Sequence, residues 1–178
     1  MIKIFKCFIA SPSDTKQERD ACDRVFDKLN KNLGEQLKFR VESKKWEINA
    51  RPSFGKDSQD VINSQLLHNY QVFIGIMWNK FGTPTLRAGS GTEEEFLHAY
   101  NRYINQEDVE ILMYFKKEKA DADTLDLSQL QKVRDFKEKV SDLGGLYKTF
   151  EGSKEFEEIL FDNLYSYFCS ETRKKFRE

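Results

Sequence analysis

Along the chain, short runs of unbroken or alternating apolar residues take turns with stretches in which apolar residues recur every three or four positions. Residues 2–10, rich in Ile and Phe, stop at Ser11-Pro12-Ser13-Asp14, where a proline and small polar residues mark a strand ending in a turn. From Thr15 onward, Ala21, Cys22, Val25, Phe26, Leu29 and Leu33 keep helical spacing, with Thr15 and Glu18 set as a capping box and Gly34 as the stop. Leu37, Phe39 and Val41 then alternate with Lys38, Arg40 and Glu42, the period-two pattern of an edge strand with one face in solvent, which Trp46 closes.

Residues 49–58 read as a loop, and Val61, Ile62, Leu66 and Tyr70 as the apolar positions of a short second helix. The run from Val72 to Trp78 is apolar throughout, which predicts a central parallel strand covered on both faces. A turn-rich segment with Gly82-Thr83-Pro84-Thr85 and Gly89-Ser90-Gly91-Thr92 leads into a third helix striped by Phe96, Ala99, Tyr100 and Tyr103. Residues 109–115 repeat the buried-strand signature, and a fourth helix carries Leu127, Leu130, Val133, Phe136, Val140 and Leu143 before Gly144-Gly145 ends it. Residues 146–150 predict a last edge strand, and Ser153 caps a final helix with Phe156, Ile159, Leu160, Leu164 and Phe168 on its apolar face.

Five strands alternating with five helices predict an α/β doubly wound, mainly parallel sheet of order 2-1-3-4-5, in one domain over residues 1–178. Ligands of such sheets bind beyond the carboxyl ends of the strands, where the strand order reverses, here at strands 1 and 3. That rule brings Ser11, Ser13 and Asp14 of one loop beside Trp78, Phe81 and the glycine turn of the other. Helix three starts at the same rim, and its first turn presents unsatisfied N–H groups near Thr92 that favour an anion. Thr92-Glu93-Glu94-Glu95 fits a capping box, which gives Glu95 a purely structural role. At roughly 100° per residue, Glu94 turns away from the Phe96, Ala99 and Tyr103 stripe while Glu93 and Glu95 flank it, and periodicity leaves the choice between those two open.

Composition removes several functions. A net charge of −1 from 29 basic and 30 acidic residues produces no field that favours nucleic acid or a membrane surface. No signal-peptide pattern and no run of 18 apolar residues is present, so the expected location is the cytoplasm. Cys7, Cys22 and Cys169 lack metal-ligand spacing and read as buried thiols in a reducing compartment; no metal and no cofactor is expected. Phe54-Gly55-Lys56-Asp57-Ser58 has the ending of a phosphate-binding loop without its upstream glycine. Gly89-Ser90-Gly91 lacks the spacing of a hydrolase elbow, and the two histidines, His68 and His98, fall on helices, so a serine triad is not expected. The basic tail Arg173-Lys174-Lys175-Phe176-Arg177 reads as a solvated helix end or a boundary before a second module.

One resemblance brings these features together. Phe8-Ile9-Ala10-Ser11-Pro12-Ser13-Asp14, Glu18-Arg19, Trp46, Pro52, Gln59, Phe73-Ile74-Gly75, Trp78, Phe81-Gly82-Thr83-Pro84-Thr85 and Ser90-Gly91-Thr92-Glu93-Glu94-Glu95-Phe96 resemble the TIR-like domain of unknown function found ahead of NACHT-type and other STAND ATPases. The resemblance covers roughly residues 2–115. It implies a flavodoxin-like sheet shared with TIR domains and nucleoside deoxyribosyltransferases, in which a helical glutamate followed four residues later by alanine handles a ribosyl carbon. Glu95 and Ala99 match that spacing, whereas Glu93 is followed by Leu97. Gly91 and Glu95 also match the Gly-x-x-x-Glu of the deoxyribosyltransferases, while catalytic TIR domains usually carry tryptophan in place of Gly91.

On this resemblance Glu95 is the catalytic carboxylate; Ser11, Ser13 and Thr92 are expected to bind phosphate or ribose oxygens, Asp14 is a further substrate-binding residue, and Trp78 and Phe81 stack on a base. The expected substrate is NAD or a related nucleotide, cleaved at its N-glycosidic bond by a domain that self-associates on activation, in defence or signalling, with a fused or associated STAND ATPase. Two other readings stay open: a non-catalytic interaction module, and a nucleoside or nucleotide N-glycosidase or transferase acting outside NAD.

Overall fold

The computed structural model describes residues 2–45, 51–67 and 69–174. Trp46, Asn49, Ala50, His68, the Leu66 side chain and the basic tail's side chains lie outside the described residues. Strand β1 (Lys3–Ala10) is followed by α1 (Lys16–Leu29), β2 (Phe39–Lys44), α2 (Ser58–Leu66), β3 (Val72–Met77) and α3 (Gly91–Ile104). Then come β4 (Glu110–Lys116), α4 (Leu127–Asp142), β5 (Tyr147–Phe150) and α5 (Ser153–Lys174). The five strands form one sheet in the order β2-β1-β3-β4-β5, and every neighbouring pair is parallel. The chain is a doubly wound α/β domain of the expected order.

Side chains alternate between two cores. Phe5, Cys7, Ile9, Val72, Ile74 and Ile76 face α1 and α5, where Phe168 packs between Phe5 and Phe39 at ring distances of 4.6 and 5.1 Å. Phe8, Ala10, Phe73, Met77, Met113 and Phe115 face α3 and α4, centred on the edge-to-face pair Phe96–Phe136 at 5.2 Å. All six residues of β3 are buried, which is why that strand reads as an unbroken apolar run. The outer edge of β2 is closed at Val41, whose N–H and C=O are both taken by the Asn30 carboxamide at 2.7 and 2.9 Å.

Several local expectations are corrected. Thr15 and Glu18 form no capping box, because the Thr15 hydroxyl donates to Pro12 O at 2.9 Å and the fully buried Glu18 pairs with Lys116 at 3.1 Å. Gly34 does not stop the first helix: a wide turn at Asn30–Gly34 and a last turn at Glu35–Leu37 continue it to Lys38, whose φ of 51° ends it. Gly34 is required instead by close approach, since a Cβ there would lie 2.8 Å from Phe39 O. Leu37 accordingly ends a helix rather than starting a strand, Tyr70 lies past α2 in the core, and Trp78 follows the last residue of β3. Ser153 is the first residue of α5, not its cap. Tyr103, near the end of α3, and Leu127, at the start of α4, leave their helical stripes for solvent, at 59% and 72% exposure. Cys7 and Cys22 are buried as expected, whereas Cys169 is only half-buried. Among the described residues, no helix is long and apolar enough to cross a membrane, and no group of His, Cys, Asp and Glu is placed to hold a metal ion.

Candidate functional site

At the carboxyl ends of β1 and β3 lies a cavity of about 180 Å³, lined by Ser11, Gln59, Ile62, Phe81, Gly82, Thr83, Gly91, Thr92 and Glu95. It occupies the point where the strand order reverses, because β1 and β3 are neighbours whose chains run off to opposite sides of the sheet. Four elements build it: the loop after β1, helix α2, the loop after β3, and the first turns of α3.

Helix α3 begins two residues before the expected capping box. Its N-cap is Ser90, whose Oγ accepts from Glu93 N–H at 3.1 Å. Glu93 completes the cap by accepting from Gly89 N–H at 2.8 Å through one carboxylate oxygen and from Lys139 of α4 at 2.8 Å through the other. The three successive glutamates therefore go three ways. Glu93 turns to α4, while Glu94, turned off the apolar stripe yet buried, meets Asn63 at 2.5 Å and the Arg87 guanidinium. Glu95, 5% exposed, lines the cavity and accepts from Gln59 Nε2 at 3.1 Å. The capping role read for Glu95 belongs to Glu93, because moving the helix start from Thr92 to Ser90 moves the third helical position with it.

Gln59 is the residue of this site whose role the sequence left unread. Its Nε2 donates to both Asn63 Oδ1, at 2.9 Å, and Glu95, while its Oε1 lies so close to α3 that a Cβ on Gly91 would stand 2.6 Å from it. The Gly-x-x-x-Glu spacing thus has a steric cause: the glycine admits the amide that holds the glutamate one helical turn later.

The remaining expected residues divide. Ser11, Phe81 and Thr92 line the cavity together with Glu95. Among the described residues the buried Ser11 hydroxyl has no hydrogen-bond partner, and Thr92 is buried. Asp14 stands outside it and clamps the loop after β3, accepting from Asn79 N–H at 3.0 Å and Lys80 N–H at 2.9 Å. Ser13 is exposed in the turn before α1. Trp78 is not part of the lining; its indole N–H donates to Glu118 O at 2.9 Å and Lys116 sits over its ring at 4.4 Å.

The loop 81–90 is tied to α2 by Arg87, which bonds Asp57 at 3.2 Å and lies 3.9 Å from Asp60 besides meeting Glu94. Asp57 caps α2 by accepting from Asp60 N–H at 2.6 Å, and that bond, with Arg87 beside it, holds its carboxyl below the usual range.

A second depression, about 1190 Å³ and wide open, runs along the amino-terminal half of β4. It exists because β5 pairs only with Met113–Lys116, leaving the edge of Glu110–Leu112 uncovered between α3 and α5.

The chain belongs to the family described as domain of unknown function (DUF4062), whose model matches residues 6–165. No curated protein matches it. Among solved structures it is similar to the translation elongation factor SelB of Methanococcus maripaludis, at 12% identity and a TM-score of 0.51 over 94% of this chain and 35% of that one. Weaker likenesses join it to the homoserine dehydrogenase of S. aureus (9% identity, TM-score 0.37, 84% of this chain and 33% of that one) and to a conserved protein of Enterococcus faecalis V583 (13%, 0.37, 87% and 96%). The chain spans about a third of the elongation factor and of the dehydrogenase, and the likeness to the elongation factor speaks to the fold alone.

Proposed function

We propose that this DUF4062 domain is an N-glycosyl hydrolase of NAD or a related nucleotide, with Glu95 as the carboxylate that meets the ribosyl carbon. One observation carries the reading: Glu95 is buried, relieved of helix capping by Ser90 and Glu93, and directed into a cavity beside the unpartnered Ser11 hydroxyl. Cleavage of the C1′–N bond passes through an oxocarbenium-like state, and a fixed carboxylate beside that carbon stabilises it or attacks it.

The cavity has the volume of a sugar ring rather than of a dinucleotide, so the ribose enters and the base stays at the mouth. Ser11, Thr92 and Gln59 line the same cavity, which supports a role for them in binding its hydroxyls. Glu95 is the one ionisable side chain in the lining among the described residues. A leaving group that must be protonated finds no second acid there, which favours a pyridinium base that departs neutral over the bases of ordinary nucleosides. Activation by self-association and service to a STAND ATPase in defence or signalling rest on the resemblance of the loops, and a cytoplasmic location rests on the signal-free, span-free sequence.

The second reading, a non-catalytic interaction module, draws on the uncovered β4 edge, where Tyr103, Ile104 and Leu146 stand in solvent. Concentrated wild type and Glu95→Gln assayed for free-base release from NAD, nicotinamide riboside, adenosine and inosine separate the two. The enzymatic reading expects release from the pyridinium substrates by wild type alone. Equal release by both proteins removes Glu95 from the mechanism, and no release by either, even when clustered, favours the interaction module.

A further inference from the structure

The wall that β3 contributes to the cavity is held from outside by a residue of a different element. Gln129 stands in the first turn of α4, where its own N–H is fixed by the N-cap Asp126 at 3.0 Å, and it does not line the cavity. Its Oε1 accepts from both Phe81 N–H, at 2.8 Å, and Gly82 N–H, at 3.0 Å, while its Nε2 donates to Gly82 O at 3.4 Å. Gly82 adopts a φ of 105°, a conformation that favours glycine, and this rotation sets the direction of the carbonyl that meets Gln129 Nε2. One carboxamide thus satisfies the backbone of the two residues that carry the Phe81 and Gly82 wall.

Other contacts leave this one decisive. Asp14 fixes Asn79 and Lys80, so the loop is anchored immediately before the wall. The Phe81 ring packs edge-on to Phe136 of α4 at 5.8 Å, which fixes the ring and not the backbone. The next described anchor is the Thr85–Ala88 turn, where Thr85 N–H donates to Ala88 O at 3.0 Å. Between Lys80 and Thr85, Gln129 bonds the main chain at both Phe81 and Gly82 among the described residues.

We infer that Gln129 is a positioning residue: it fixes the Phe81–Gly82 wall against α4 and thereby sets how tightly the cavity grips the sugar. The inference rests on the reading of the cavity as a ribosyl site. The side-chain hydrogen bonds of Gln129 go to Phe81 and Gly82, so its loss weakens substrate binding more than it alters chemistry.

Gln129→Ala and Gln129→Glu test this by two readouts. Glutamate keeps an acceptor for both N–H groups and loses only the long Nε2 contact, so it is the rescue variant. In amide hydrogen exchange followed by NMR, Phe81 and Gly82 are expected to lose about tenfold protection in Gln129→Ala and little in Gln129→Glu. The β3 amides, Val72–Met77, stay unchanged in both, which controls for global destabilisation. In base release from NAD, Gln129→Ala is expected to raise KM about tenfold with kcat within about threefold, and Gln129→Glu to restore KM. Unchanged protection of Phe81 and Gly82 in Gln129→Ala overturns the clamp. Lost protection with an unchanged KM overturns its role in gripping substrate. If wild type releases no base from any of the four substrates, the hydrolase reading fails while the cavity can still be a ribose site, and equilibrium dialysis of ribose against wild type and Gln129→Ala decides the inference: equal retention by the two proteins overturns it.

Discussion

Substituting Gly91 by alanine tests the link that places Glu95. The new Cβ would stand 2.6 Å from Gln59 Oε1, nearer than such atoms come in folded proteins. The obstacle is the end of a flexible side chain, so the amide withdraws while the helix stays. Withdrawal breaks the 3.1 Å bond from Gln59 Nε2 to the buried Glu95 carboxylate, and a hydrogen bond to a charged group contributes about 1.5–3 kcal/mol. Alanine in a helix gains up to about 1 kcal/mol over glycine, so Gly91→Ala should destabilise by about 1–2 kcal/mol. In a Gln59→Ala background neither the clash nor the bond exists. There the same substitution should be neutral or stabilising by up to about 1 kcal/mol, a reversal of sign. Urea unfolding followed by circular dichroism resolves this: with a slope of about 1–3 kcal/mol per molar, the single variant loses roughly half to one molar in midpoint, and the pair does not. The same loss in both backgrounds would refute the steric account of the Gly91–Gln59–Glu95 chain.

Three further outcomes follow from the packing. Lys116→Met strands the fully buried Glu18 without its cation and should cost about 3–5 kcal/mol, whereas Glu18→Leu with Lys116→Met should return close to wild type; denaturation midpoints of the two variants check it, and a double variant as weak as the single one rejects it. Because the folded-state carboxyl of Asp57 is depressed, its contribution is present above about pH 4 and fades as pH falls through the folded value. Asp57→Ala should therefore unfold earlier than wild type at neutral pH, with a gap that narrows as acid protonates the folded carboxyl, and a gap that stays constant through the acid range contradicts this. Burial pushes the thiols of Cys7 and Cys22 well up, so a thiol reagent at pH 8 should titrate no more than one cysteine, Cys169, in the native protein and three after unfolding; rapid labelling of Cys22 would count against the packing of α1 on the sheet.

The sheet was legible because burial on both faces leaves a mark in composition: β3 is apolar from Val72 to Met77, and parallel order follows from the alternation of strands with helices. The cavity was legible at one remove, since the position of β1 beside β3 fixes where ligands enter whatever the side chains are. Helix ends were less so. Thr15 followed by Glu18 looks like a capping box, yet tertiary contacts take both side chains, and Gly34 looks like a stop, yet serves the approach of β2.

The glutamate run shows what such an error of two residues does to function. With the helix starting at Thr92, Glu95 is a cap and the site has no carboxylate to offer; with it starting at Ser90, Glu93 is the cap and Glu95 is released into the cavity. Both starts satisfy similar residue preferences, because Ser90 and Thr92 are both favoured N-caps with a glutamate three positions on. What separates them lies off the helix. Lys139 draws Glu93 toward α4, and Arg87 and Asn63 draw Glu94 toward α2 and its neighbouring loop. These contacts join residues up to 46 positions apart and carry no periodicity, so no pattern along one chain reports them. The same holds for Gln59 and Gln129, neutral amides on exposed-looking helical positions whose partners are a carboxylate and two backbone N–H groups on other elements. The choice of Glu95 over Glu93 is thus made by the cations around the helix start. Moving Lys139 or Arg87 should therefore disturb the site more than changing the cap residue itself.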